Sequence, residues 1–291
     1  MIKKTGILCI VFLTLAFVLT ACGKTPKQEV KEPDNASNMA AYTTFTEYTR
    51  NLQYAAGAAY KRVQEQLSHE AVMVDGQVVR PGLDEAFINN VLADLRAKAP
   101  ITSWCWQNAQ GVVMYSDLAH TIGLQGGAED IVDVAYQNNV VYASNNVVKR
   151  QEAARALVIV IPMVAQNQIY GAFVGVVTPE QDLVNLMEPY VEFPRGLVLM
   201  NLQGGVILSD NLDEIGRNYL TDEYYKPFGD LLLVVSKMRS QESGIARYYF
   251  FVGNTPYKDW YNVNWASVRY FSHTWRFAVR EPVKLDLQTT Y

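Results

Sequence analysis

From Ile7 to Val18 the chain is apolar at every position but one, and from Gly23 to Asn38 it has no aromatic and no large aliphatic residue except Val30. The first run is too short to cross a bilayer comfortably. The second cannot bury enough surface to fold and is expected to be a polar tether. Between Met39 and about His69 apolar residues return at three- and four-residue steps (Tyr42, Phe45, Tyr48, Leu52, Ala55, Ala59, Val63, Leu67), without a proline. That spacing predicts a long amphipathic helix. A second helix is predicted from about Gly82 to Lys98, with Asp84 near its start and Pro100 beyond its end.

Downstream the pattern changes to short apolar or alternating runs bounded by turn residues. Strands are predicted at Ile101–Gln107, Val112–Tyr115, Ala156–Val164, Ile169–Val177, Gly196–Met200, Val206–Leu208, Ile245–Val252, Ala266–Phe271 and Trp275–Arg280. Gln166-Asn167-Gln168 is expected to turn a hairpin, and Ser272-His273 another. Helical character is expected in Ala128–Gln137 and Thr221–Ser240. The order predicts an α+β chain with antiparallel sheets.

These elements repeat. Residues 108–123 read NAQGVVMYSDLAHTIG and residues 201–216 read NLQGGVILSDNLDEIG; they align without a gap, 93 positions apart, with eight identities in sixteen. Such density predicts a duplicated structural unit, and two copies predict tandem subdomains rather than a solenoid. In each copy Asn-x-Gln-Gly suits a tight turn, and Ser-Asp suits a strand stop and cap.

Composition narrows the function. The chain carries 25 Lys and Arg against 29 Asp and Glu, a formal charge of −4. Losing Lys3 and Lys4 with a leader would make it more acidic still, so no charge draws it to nucleic acid. There are three cysteines; Cys9 leaves with the leader, Cys22 is expected to be acylated, and Cys105 alone has no disulfide partner, so the fold depends on its core. No G-x-S-x-G, P-loop, G-x-G-x-x-G or H-E-x-x-H occurs. The loop Gly123–Gly127 is too weak a pattern for a phosphate cradle. His69, His120 and His273 lack metal-ligand spacing. No catalytic residue, cofactor or metal site is expected.

The N-terminus has the form of an export signal. Lys3 and Lys4 precede the apolar run, and Leu19-Thr20-Ala21-Cys22 follows it. The order Leu, small, small, Cys resembles the lipobox of bacterial lipoproteins. The resemblance implies cleavage after residue 21 and diacylation of Cys22, an anchor of two chains where one would hold weakly. An extracytoplasmic protein, on the cell membrane through this lipid and facing the periplasm or the outside, is expected.

Beyond the tether the chain resembles the double Cache family of extracellular ligand-sensing domains. The resemblance rests on the long first helix, the repeated Asn-x-x-Gly…Ser-Asp…Ile-Gly hairpin, Ile161-Pro162 with Gly171–Val177 as return strands, and Trp275–Val279 as a final strand. It covers roughly residues 40–285. It implies an N-terminal helix plus membrane-distal PAS-like subdomain in 39–190, a membrane-proximal one in 191–285, and a tail in 286–291. It further implies a small-molecule ligand (an amine, amino acid, carboxylate or nucleobase) bound in the first subdomain. The signal or ligand would pass to a separate transmembrane receptor or kinase. The chain departs from the amino-acid-binding subset: the tryptophans stand as Trp104-Cys105-Trp106 without the subset's arginine, and Val177-Thr178 stands where its aspartate is expected. An interaction or structural lipoprotein with a vestigial pocket is the alternative.

Strand alternation puts Trp104, Trp106 and Asn108 on one face and Ser103, Cys105 and Gln107 on the other. With Tyr115, Tyr136, Tyr142 and Tyr170, the two tryptophans could wall an aromatic box for a cation or a flat ring; packing in the core is the other reading. Asp117 is either a ligand's charge partner or, like its twin Asp210, a cap. Arg155 either pairs with a carboxylate or sits solvated at a strand end. Cys105 is expected to be a small buried hydrophobe. The aromatics at Tyr224-Tyr225, Tyr248-Tyr249 and Trp260-Tyr261 are expected to be mainly core.

Overall fold

The computed structural model describes residues 35–69, 72–74, 77–79, 84–127, 129–149, 155–190, 196–251 and 257–283. The leader, Cys22, the tether up to residue 34 and the 286–291 tail lie outside them. In chain order the elements are α1 (Asn35–Ser68), β1 (Val72–Val74), β2 (Gln77–Val79), α2 (Glu85–Lys98), β3 (Ser103–Asn108), β4 (Val113–Ser116) and α3 (Glu129–Asn138). They continue with β5 (Tyr142–Ala143), β6 (Val148–Lys149), β7 (Arg155–Ala165), β8 (Gln168–Val177), the single turn α4 (Val184–Met187), β9 (Leu197–Asn201) and β10 (Val206–Ser209). The last are α5 (Gly229–Ser240), β11 (Ser243–Phe251), β12 (Lys258–Tyr270) and β13 (His273–Pro282).

The α+β architecture is as expected: a long helix, then two antiparallel sheets. One sheet runs β4-β3-β8-β7-β5, with β6 also on β7; the other runs β10-β9-β13-β12-β11. Numbered within its own sheet with β6 left aside, each has the order second, first, fifth, fourth, third. The duplication is therefore one of topology as well as of sequence.

The repeated residues hold the same hydrogen bonds in both copies. Asn108 Oδ1 accepts from the backbone N–H of Gln110 and Val112, and Asn201 Oδ1 from Gln203 and Gly205. Gly111 and Gly204 take φ of 76° and 88°, and Gly123 and Gly216 take 84° and 81°, a left-handed region that costs glycine little. Ser116 Oγ accepts from Leu118 N–H as Ser209 Oγ does from Asn211 N–H. Even the isolated bridges correspond, Val112 with Gln125 and Gly205 with Asn218.

α1 ties the two units together. Its 34 residues span about 50 Å. Along it, Asn38 Nδ2 donates to Glu281 Oε1 at 3.3 Å, Tyr42 Oη to Ser267 O at 2.8 Å, Gln53 to Arg269 O at 3.2 Å and Tyr60 Oη to Asn139 O at 2.5 Å. The helix thus starts on the second sheet and ends on the first unit. It begins at Asn35 rather than Met39, because the contact of Asn38 with Glu281 and the complete burial of Ala41 draw the end of the expected tether into it. Its stripe of Phe45, Leu52, Ala56, Val63 and Leu67 joins α2 and one face of both sheets in a single core cluster. Each sheet's other face carries its own helix, α3 over Val158, Val160 and Val174, and α5 over Val198, Tyr248 and Trp265.

A glycine opposite a tryptophan recurs in both sheets. Trp104 pairs with Gly175 and Trp265 with Gly244. A Cβ at Gly175 would lie 2.7 Å from the Trp104 ring, so Gly175→Ala should cost about 1–3 kcal/mol by overpacking, measured by urea denaturation.

The first half of β12, 258–265, was not anticipated as strand. Asn262 and Asn264 disfavour strand by composition, yet they sit half-exposed while the alternating Val263 and Trp265 are buried. Tertiary burial decides there.

The two units also meet directly through the segment 142–146. Asn201 Nδ2 donates to Asn145 O (2.7 Å) and Asn146 Oδ1 (2.6 Å), Asn145 Nδ2 to Gln203 Oε1 (2.7 Å), and Trp275 Nε1 to Asn145 Oδ1 (2.9 Å). His273 Nε2 lies 2.7 Å from the Ala143 carbonyl; since a carbonyl only accepts, that nitrogen carries the proton.

Candidate functional site

The two faces of β3 have different fates. Trp104, 1% exposed, and Trp106 point into the helix-facing core. Ser103, Cys105 and Gln107 point the other way, as alternation requires. On that side a cavity of about 260 Å³ lies between the sheet and the 118–127 loop. Its floor is Ser103, Cys105, Val113, Ser116, Ala156 and Val176, and its wall includes Leu118, His120, Thr121, Leu124 and Gln125. Thr102 and Thr178 close one end. Asp182 Oδ2 holds that end together, accepting from Thr102 N (3.0 Å), Thr102 Oγ1 (2.7 Å) and Thr178 N (2.8 Å). The described lining is hydroxyls, one imidazole, one carboxamide, one thiol and aliphatic carbon, so it offers donors and acceptors on an apolar ground.

Gly126 and Gly127 form part of the cavity wall. Gly126 N donates to Gly111 O at 2.8 Å, and a Cβ there would collide with the Gln107 amide. At the same repeat offset the second unit has Tyr219 and Leu220. Tyr219 is 3% exposed; its hydroxyl donates to Glu214 Oε2 at 3.3 Å and its ring centroid lies 4.7 Å from that of Tyr225. Ser209 Oγ, the twin of Ser116, donates to the same Glu214 oxygen at 2.7 Å. What is open in the first unit is filled by the chain's own side chains in the second.

No family model matches this sequence, and no curated protein matches it. Among solved structures it is similar to the periplasmic sensory domain of the Campylobacter jejuni chemoreceptor Tlp1, with TM-score 0.58 at 15% identity over 84% of this chain and 94% of that one. It is also similar to an extracellular ligand binding receptor from Desulfohalobium retbaense, with TM-score 0.55 at 15% identity over 84% of this chain. This chain spans 39% of that receptor's length. The extracellular domain of the putative histidine kinase rpHK1S-Z16 gives TM-score 0.57 at 12% identity, covering 86% of this chain and 93% of that domain. The fold is that of a double Cache module. Among the described residues no helix is long and apolar enough to cross a membrane, and no three His, Cys, Asp or Glu side chains group to hold a metal ion.

Within the double Cache fold the eight residues expected to line a site do not gather at one place: Trp104, Trp106, Tyr115 and Tyr170 lie in or against the α1-side core, Tyr136 and Tyr142 lie against the α3 core, and Arg155 reaches the second subdomain. Trp104 Nε1 donates to Ala99 O at 2.9 Å and Trp106 Nε1 to Met163 Sδ at 3.1 Å, on the α1 side of the sheet. Tyr115 sits against Trp106, ring centroids 5.9 Å apart, and Tyr170 is half-buried with its hydroxyl on Gln168 Oε1. Tyr142 meets His273 of the second subdomain edge-on at 5.9 Å. Tyr136 lies in the α3 core; its hydroxyl meets no partner among the described residues, and burial, then Asp133, pushes it up to about 12. Asp117 accepts from Trp104 N at 2.7 Å on the neighbouring strand β3 and pairs with Arg96. Arg155 reaches the second subdomain, donating to Leu212 O (2.5 Å) and Ile215 O (2.9 Å) and facing Glu180 at 3.6 Å.

Sequence reasoning passed over Ser103, Ser116, His120, Thr121 and Thr178 and took Cys105 only as core. Small hydroxyl residues carry no motif of their own. The signal that would have found them is the contrast between Gly126-Gly127 and Tyr219-Leu220 just beyond the aligned repeat.

The filled second Cache subdomain carries a testable electrostatic consequence. Glu214 is 1% exposed; burial raises its pKa, against the lowering effect of hydrogen bonds from Ser209 and Tyr219 and the charge of Arg217. A raised carboxyl stabilises the fold most below its unfolded value of about 4.3 and loses that contribution as pH rises through the folded value. Glu214→Gln should therefore flatten the fall in stability as pH rises above about 4.3, read from denaturation midpoints across pH. An unchanged slope would remove Glu214 as its source.

Proposed function

We propose that this chain is a lipid-anchored extracytoplasmic protein that binds a small solute in the cavity of its first Cache subdomain and hands the bound state to a separate membrane protein. The observation that carries the binding site is the cavity itself, lined by Gly126-Gly127 where the duplicate has the buried Tyr219 followed by Leu220. The fold, shared with sensory domains of receptors and kinases, supports a sensing role. The Leu19–Cys22 pattern supports the anchor, with Cys22 acylated and residues 1–21 removed. About 260 Å³ is below the roughly 300–1,000 Å³ of sites for drug-sized ligands. It suits a solute the size of an amino acid, a simple amine or carboxylate, or a nucleobase.

A thermal-shift panel of those four classes on the wild-type protein tests this. A ligand that binds only the folded state raises the midpoint with concentration, by about 2.7 kcal/mol of stability at one hundred times Kd. Ala156→Leu, which adds bulk to the cavity floor, should abolish the shift while leaving the unliganded midpoint within a few degrees. A shift that survives Ala156→Leu would place the ligand elsewhere.

A further inference from the structure

One end of the second subdomain gathers exposed and half-exposed aromatic and basic side chains with no chemistry assigned to them. On the α1-facing side of its sheet, beyond the reach of the helix, Tyr249 pairs with Trp260 across β11 and β12, ring centroids 5.5 Å apart. The Arg247 guanidinium lies 4.9 Å over the Trp260 ring, and its Nε has no partner among the described residues. Tyr257 is 75% exposed, Tyr249 39% and Met39 57%. Lys258 sits over the Phe228 and Phe251 rings at 4.9 and 5.0 Å. Asp259 and Glu281 share this end, so net charge does not single it out. Its character is amphipathic: apolar rings with polar or charged tips.

The position of the cluster decides its partner. Asn38, at the start of α1, bonds Glu281, and β13 pairs Glu281 with Asn262, two residues from Trp260. The aromatic end is thus the end at which the chain enters the fold. Only a dozen residues separate Asn35 from Cys22, a span of at most about 45 Å. Resting on the lipid-anchor reading of Cys22, we propose that this end lies on the membrane surface. Tyr249, Tyr257 and Trp260 sit in the headgroup layer, and Arg247 and Lys258 contact lipid phosphates. Tyrosine and tryptophan favour that interface because one end of the ring is apolar and the other polar. A short tether also holds the local lipid concentration high enough for weak contacts to form. The first subdomain then stands at the far end of α1 with its cavity away from the bilayer.

The full chain, purified with whatever modification it carries at Cys22, is mixed with vesicles of phosphatidylcholine and phosphatidylglycerol whose acyl chains are brominated near the headgroup. Tryptophan quenching and flotation are read together. Of the five tryptophans, Trp104, Trp265 and Trp275 are at most 2% exposed and Trp106 is half-buried in the first subdomain, which the proposal places away from the bilayer, so the quenched component should disappear in Trp260→Phe. It should fall at least two-fold in Tyr257→Asp, a change at a site too exposed to threaten the fold. A chain that floats without Trp260-dependent quenching overturns the proposal and leaves the anchor intact. A chain that neither carries lipid by mass nor floats refutes the anchor; vesicle quenching of Trp260 then still supports the surface, and its absence overturns it. A Trp260 signal that changes with protein concentration in the absence of vesicles marks a second copy as the occupant and overturns it as well.

Discussion

Asp210→Ala is expected to lower the unfolding free energy by about 3–5 kcal/mol. Asp210 and Arg280 are an ion pair deep in the second subdomain, with side chains 5% and 3% exposed. Asp210 Oδ2 accepts from Arg280 Nε at 3.1 Å and from Gly196 N at 3.3 Å, and Tyr248 Oη lies 3.3 Å from Arg280 Nη1. Removing the carboxylate leaves a guanidinium buried without its counter-charge, and that uncompensated charge is the larger part of the loss. The repeat provides the control. Asp117, at the same offset, pairs with an Arg96 side chain that is 41% exposed, where water screens the charge. Asp117→Ala should cost only about 1 kcal/mol, chiefly the lost bond to Trp104 N. Equal losses in urea denaturation would mean that burial does not govern the difference.

Trp104→Ala is expected to cost a similar 3–5 kcal/mol and to leave ligand affinity unchanged in the protein that remains folded. Trp104 fills the core between sheet, α1 and α2, and the Ala99 carbonyl loses its indole donor in the variant. Ala156→Leu should do the reverse, with a small change in stability and loss of binding. Calorimetry on both variants, with a ligand from the panel, separates the two faces of the first sheet. If Trp104→Ala weakens binding by more than about ten-fold while its fold stays intact, the working site is on the tryptophan face.

Much of the fold was legible because its determinants are local. The three- and four-residue spacing from Tyr42 to Leu67 marks α1, and Asp84 caps α2 by accepting from Phe87 N at 2.8 Å. Gln166 and Asn167 turn the β7–β8 hairpin with φ of 50° and 61°, as a two-residue primed turn requires. The repeat was legible because its identities are turn residues with fixed backbone tasks. The short strands β5 and β6 were not, since two residues on an edge leave no period to read. The alternation along β3 was read correctly, but which face opens into a cavity depends on a loop twenty residues away. Tyr142 and Arg155 illustrate the same limit: both belong to the first subdomain in sequence, yet they also reach His273, Leu212 and Ile215 of the second.

Arg155 and Ala156 are consecutive residues on β7, and this adjacency sets how strongly the cavity and the second subdomain can influence one another. Ala156 forms part of the cavity floor, while Arg155 holds two carbonyls across the subdomain boundary. A solute that displaces the start of β7 must stretch or release those two bonds. At roughly 0.5–1.5 kcal/mol each, their combined loss corresponds to a coupling of about 1–3 kcal/mol, a factor of roughly 5–150 between empty and occupied forms. By reciprocity, a partner that grips the second subdomain around Leu212–Ile215 would shift solute affinity by the same factor. Arg155→Lys, which keeps the charge but loses the planar fork, should reduce that factor toward one.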